Sequence, residues 1–140
     1  MTRKQARESV FKLVFEIPFF GEDRYTERLD AFFNQLDDTQ SPENIKYIYD
    51  VVNHCFENLD NIDKSISDNL KNWKLERLSK VDLSILRVAV TEILYIDSIP
   101  DKVSVNEAVN IAKTYGDDNS PSFINGVLSG VVNNGELWQL

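Results

Sequence analysis

Apolar residues recur at spacings of three and four along nearly the whole chain, and the strict alternation of a half-buried strand is almost absent. A chain patterned this way carries one apolar stripe per helix and must pack helix on helix, so the expected class is all-α. Its 140 residues suit one compact domain spanning 1–140, since domains most often hold roughly 100–150 residues. Start and stop signals divide the pattern into seven helices. Thr2 with Gln5 three residues on is a capping-box start, and Ala6, Val10, Leu13, Val14 and Ile17 line one face, widened by Phe11 and Phe15. Pro18 and Gly21 end that helix. A second begins near Arg24 and carries Leu29, Phe32, Phe33 and Leu36 before the polar turn 37–40. Ser41-Pro42 opens a third, with Ile45, Ile48, Val52, Cys55, Phe56 and Leu59 inside. A shorter fourth holds Ile62, Ile66 and Leu70.

From Ser79 the pattern becomes apolar nearly all round, through Ile85, Leu86, Ala89, Val90, Ile93 and Leu94. A helix of that kind is usually the central one. Ile99-Pro100 breaks it. Ser104-Val105-Asn106-Glu107 reads as a capping box that opens a sixth helix, closed by Gly116 as a left-handed cap. Ser120-Pro121 opens the seventh, with Phe123, Ile124, Val127, Leu128 and Val131 inside and Gly135 closing it.

Several functional classes lose support at once. No apolar run approaches the roughly 20 residues that span a bilayer, and the first residues contain no unbroken apolar stretch of the secretory kind. Cys55 is single, which suits a reducing, cytoplasmic setting, and reads as a small buried side chain. His54 is the only histidine, too few donors for a zinc site with Cys55, so no metal or cofactor is expected. No glycine-rich phosphate loop, nucleophile elbow or HExxH sequence occurs, and the paired acids Asp37-Asp38 and Asp117-Asp118 fall in polar turns. The expectation is a protein that binds macromolecules, with no catalysis and no small-molecule substrate.

The net charge of −8 argues at first against a phosphate-bearing partner. Its distribution changes the reading. Residues 22–63 carry eleven acidic against three basic groups, whereas Arg3, Lys4, Arg7 and Lys12 make the first helix basic. A second basic island holds Lys64, Lys71, Lys74, Arg77 and Lys80. Screening over about 8 Å leaves such local patches largely uncancelled by distant acids, so they read either as binding patches or as ordinary solvated surface.

The second half of the chain carries an ordered series: Leu75-Glu76-Arg77-Leu78, Asp82-Leu83-Ser84-Ile85-Leu86-Arg87-Val88-Ala89-Val90-Thr91-Glu92-Ile93, Ile99-Pro100, Val105-Asn106-Glu107-Ala108-Val109, Ala112-Lys113-Thr114-Tyr115-Gly116 and Phe123-Ile124-Asn125-Gly126-Val127-Leu128. With Ala6-Arg7-Glu8 near the start, it resembles the NusB family of bacterial transcription antitermination factors over essentially the whole chain. The resemblance implies a seven-helix domain that binds boxA, a single-stranded element of nascent ribosomal RNA. It implies a heterodimer with NusE, which is also a small-subunit ribosomal protein, inside an RNA polymerase antitermination complex that suppresses premature termination.

Carried over residue by residue, the family's arginine-rich first helix falls on Arg3, Lys4 and Arg7, thinned here by Gln5. Phe15 and Phe123 match positions near the family's RNA surface, as stacking platforms or as core residues. Arg87, among apolar neighbours, has to reach a carboxylate, a helix end or RNA. Asn119 either reads a base edge or caps the last helix, and Asp82 either faces NusE or serves as a plain helix N-terminal carboxylate. Asn106, Glu107 and Asn125 read as structural polar residues, and the Gly126–Gly130 spacing as helix packing. Competing readings are a protein-interaction adaptor of the same fold without RNA affinity of its own, and a piece of an RNA methyltransferase carrying a related helical domain. Whether the free protein is a monomer or a dimer, with Phe11 and Phe15 in a self-contact, stays open.

Overall fold

A computed structural model describes residues 1–16, 25–36 and 41–138, with side chains to residue 134. Among these residues lie seven α-helices: α1 (Arg3–Glu16), α2 (Tyr25–Gln35), α3 (Pro42–Glu57), α4 (Leu59–Asp68), α5 (Lys80–Tyr95), α6 (Asp101–Tyr115) and α7 (Ser120–Trp138), plus a 3-10 turn at Leu75–Arg77. The stops expected at Pro18 and Gly21 and the turn 37–40 lie outside the described residues.

The caps show why the helices start where they do. Thr2 and Gln5 exchange two hydrogen bonds, the Thr2 amide donating to Gln5 Oε1 at 2.8 Å and the Gln5 amide to Thr2 Oγ1 at 3.1 Å. Ser79 Oγ accepts from the Asp82 amide at 3.0 Å. Ser41 sits in the extended region ahead of Pro42. Asn58 separates α3 from α4, its backbone and side chain amides both donating to the His54 carbonyl.

α5 is the central helix. Its residues 84–86 and 88–92 are all buried, and it packs against α1, α3, α4, α6 and α7. Around it Val10, Val14, Ile48, Val52, Cys55, Ile62, Ile66, Ile124 and Leu128 form one apolar cluster. Cys55 lies fully inside it, and burial pushes its thiol up to about 11. α2 adds Leu29 to this cluster and stacks Tyr25 on Phe56 and Phe33 on Tyr49.

Four local expectations are corrected. α6 begins at Asp101 after Pro100, so Ser104 is not its cap. The Ser104 hydroxyl instead donates to buried Glu92 at 2.9 Å, because a buried carboxylate outbids a helix end that proline can already open. Gly116 has φ −88°, not a left-handed value. It is needed for space, since a Cβ there would meet the Ser120 side chain at 2.5 Å. Asn125 and Gly126 are exposed and bridge no helices; the close approach is at Gly130 alone, where a Cβ would run into Asn69 Oδ1. Finally, α7 continues past Gly135 to Trp138, because one glycine costs a helix only about 1 kcal/mol and does not by itself stop it.

Gly126 and Gly130 of α7 therefore predict opposite signs. Asn69 is held by hydrogen bonds to Asn134 (2.9 Å) and the Ser65 carbonyl (2.8 Å), so it cannot swing aside freely. Gly130→Ala should destabilise by about 1–3 kcal/mol, the usual cost of overpacking. Gly126→Ala meets nothing within 4 Å and should stabilise by roughly 0.5–1 kcal/mol through helix propensity. Urea denaturation of both variants checks this, and equal shifts of one sign would refute the packing argument.

Candidate nucleic-acid interface

α1 and α6 lie side by side and run the same way. Arg7 Nη1 is 3.9 Å from Glu107 Oε2, and one turn further along α1 the ring of Phe11 is 5.2 Å from that of Tyr115, the last residue of α6. Along this seam lies an apolar groove of about 230 Å³ lined by Phe11, Lys12, Phe15, Glu16, Val81 and Tyr115. The Lys12 ammonium sits 5.7 Å from the centre of the exposed Tyr115 ring, and Phe11 and Phe15 are 6.4 Å apart. At the other end Arg3, Lys4, Val103 and Glu107, with the mostly buried Arg7, border a second depression with Ser98, Ile99 and Pro100. Aromatic faces with an ammonium group beside them, and a second lysine further along α1, suit an unpaired base and its phosphates.

The sequence-derived residues divide on inspection. Lys4 is exposed on this face. Arg3 is exposed too, but its Nε donates to Asn44 Oδ1 at 2.9 Å and its guanidinium lies 4.4 Å over the Tyr47 ring. Arg7 does not belong to the surface, which corrects the expectation that it meets phosphate. Its side chain is 5% exposed and forks onto Glu92, Nε to Oε2 at 2.8 Å and Nη2 to Oε1 at 3.1 Å. Tyr47 donates its hydroxyl to Glu92 Oε2 at 2.5 Å, and Ser104 completes the cage. Burial alone would lower the Arg7 pKa, but the Glu92 hydrogen bond and charge outweigh it and hold it above the ordinary value. Burial, and then the neighbouring carboxylate, raises the Tyr47 phenol well above its usual range, so it stays a donor. The physical reason for the correction is Glu92: a lone acid inside a buried helix needs a cation, and Arg7 is in reach.

Arg87 takes the pairing alternative, meeting Asp63 through Nε at 2.9 Å and Nη2 at 2.8 Å on the α4 side of α5. Phe15 and Phe123 are half-buried; Phe15 lines the groove, and Phe123 packs on the core from the first turn of α7. Asn119 is exposed in the α6–α7 turn, four residues beyond Tyr115. Capping there is done by Asp117, whose Oδ1 accepts the amides of Asn119 (2.8 Å) and Ser120 (3.1 Å). Asp82 stands beside Val81 at the start of α5, and its Oδ1 is buried with no hydrogen-bond partner. His54 lies flat on Tyr95, ring centres 5.7 Å apart.

Lys12, Tyr115 and Val81 were missed as members of the surface. Lys12 was legible, eight residues from Lys4 and so near the same helical stripe. Tyr115 and Val81 come from other helices and carry no such signal.

Fold and surface together define a class: an all-helical body built around one buried central helix, presenting an aromatic-lined groove that carries Lys12 and Glu16 and is suited to binding. No helix among the described residues is long and apolar enough to cross a membrane. Comparison with known proteins makes the assignment specific. The chain belongs to the NusB family, whose model matches residues 4–133. It is 43% identical over 132 residues to the transcription antitermination protein NusB of Clostridium novyi, covering 94% of this chain and 98% of that protein. NusB of T. maritima superposes with a TM-score of 0.80 at 33% identity, over 100% of this chain and 99% of the other. The same fold recurs, at TM-score 0.77 and 23% identity over 94% and 96% of the two chains, in a crystal structure of antitermination factors NusB and NusE in complex with double-stranded RNA.

Proposed function

We propose that this chain is a cytoplasmic transcription antitermination factor that works by binding and not by catalysis. It holds the boxA element of nascent ribosomal RNA together with NusE, within the RNA polymerase antitermination complex, and so suppresses premature termination. Family membership supports the role, and one observation carries the mechanism: Lys4 and Lys12 stand along an α1 face whose groove exposes Phe15 and Tyr115. The rings supply a stacking surface and the ammonium groups meet phosphates. Arg3 adds charge at the amino-terminal end, and Asn119 and Phe123 extend the surface past the α6–α7 turn. Asp82 is the partner-facing residue in this reading, because it matches the family's NusE-facing position and stays partly exposed at the start of α5.

The adaptor reading draws support from the burial of Arg7 in the interior and the tethering of Arg3. A titration of labelled boxA RNA, with and without NusE, separates the two. The heterodimer should bind boxA at least about tenfold better than a scrambled strand at moderate salt, a margin of roughly 1.4 kcal/mol. Equal affinity for both strands would leave only the adaptor. In the same assay Asp82→Lys should lower NusE affinity while leaving RNA binding by the chain alone unchanged; an undisturbed heterodimer assigns Asp82 to the start of α5.

A further inference from the structure

Outside the groove, one surface combines an exposed indole with unpaired cations. Between α4 and α5, Trp73 is 61% exposed, flanked in sequence by exposed Lys71, Lys74 and Arg77. Among the described residues none of these three cations has an ion-pair or hydrogen-bond partner for its side chain, and the segment 71–77 holds one acid, Glu76. The presentation is built. Leu75 and Leu78 pack against the core, and the 3-10 turn is closed by the Arg77 amide on the Lys74 carbonyl at 2.9 Å. Asn72 takes a left-handed φ of 67°, a conformation asparagine tolerates better than most residues, and turns the chain just before Trp73. A large ring held out in water at a fixed place is a surface waiting for a partner.

The partner's chemistry follows from what surrounds the ring. Protein interfaces concentrate apolar contact at their centres and are depleted of lysine. Here both leucines turn inward, and the neighbours left outside are two lysines, an asparagine, an arginine and a single acid, Glu76. That set fits a base stacked on the indole with phosphates on either side. The segment is also close to the groove: Val81, a groove residue, follows Arg77 by four positions, at most about 14 Å of extended chain.

We propose that Lys71–Arg77 is a second contact for single-stranded RNA, in which Trp73 stacks on an unpaired base while Lys71, Lys74 and Arg77 meet its phosphates. It rests on the reading of this chain as an RNA binder and extends the path of the strand beyond the α1–α6 groove.

Trp138 is the only other tryptophan, so Trp138→Phe leaves Trp73 as the sole indole reporter. The full chain with NusE is titrated with a boxA strand extended by unpaired nucleotides at both ends and with a scrambled strand of equal length. Trp73 fluorescence and RNA anisotropy are followed together. Binding should quench Trp73, and Trp73→Ala should weaken the extended strand about tenfold, within the range of base–aromatic stacking. The pair Lys71→Glu and Lys74→Glu should weaken it further and flatten its salt dependence. RNA binding with no quench, and with affinity untouched by these variants, overturns the inference and leaves the boxA reading intact. Equal affinity and equal quench for both strands removes boxA selectivity and supports the second contact. Loss of NusE affinity in Trp73→Ala, with RNA affinity of the chain alone unchanged, overturns the proposal and gives the surface to the protein partner.

Discussion

Arg7→Ala should cost about 3–5 kcal/mol of folding stability, the scale for removing one member of a buried ion pair. The effect is large because of what remains behind. Glu92 is 1% exposed, and without the guanidinium its carboxylate keeps only the Tyr47 and Ser104 hydroxyls. Arg7 also joins three helices, touching Glu92 of α5, the Tyr47 ring of α3 and Glu107 of α6. Arg7→Glu should be worse, since it sets a second carboxylate against the first. Chemical denaturation measures both. The control is Arg7→Met with Glu92→Met, which should recover much of the stability because neither charge is then stranded. A single variant within about 1 kcal/mol of the parent protein would show that water reaches the cage and that the pair is not buried in solution.

Lys4→Glu with Lys12→Glu should weaken boxA binding about a hundredfold or more near 0.1 M salt, two charge-assisted hydrogen bonds each being worth roughly 1.5–3 kcal/mol. The slope of log affinity against log salt should fall by about two, one unit for each phosphate no longer neutralised. Folding should hardly change, because both side chains are exposed and neither is ion-paired among the described residues. The salt series discriminates best: unchanged slope with unchanged affinity would remove α1 from the RNA path. Reduced affinity with an unchanged melting temperature separates these lysines from Arg7, whose replacement acts through the core.

The contrast between Arg7 and Lys12 shows where reading a sequence stops short. Both sit on one basic helix, and charge count treats them alike. Arg7 lies beside Ala6 and one turn before Val10 and Phe11, so its backbone position already leans toward the buried stripe. What draws the guanidinium in is Glu92, eighty-five residues away in sequence. Glu92 was itself a clue, an acid within a run of buried α5 residues that could not stay there unpartnered. The same reasoning applied to Arg87 required a carboxylate, a helix end or RNA, and of the three the fold delivers a carboxylate, Asp63.

Seven helices and the central place of α5 follow from the sequence alone, because they depend on residue periodicity and on caps such as Thr2 with Gln5 that act within one turn. Which cations face water does not. Lys4 and Lys12 are surface groups, while Arg7 is a core group, only because packing brings α5 and α3 against one side of α1 and leaves the other open. Helix packing likewise assembles the groove from Phe15, Val81 and Tyr115, residues on three different helices. Local spacing determines how each helix forms, but a partner for a buried charge or a wall for a groove comes from whichever distant residue the fold delivers.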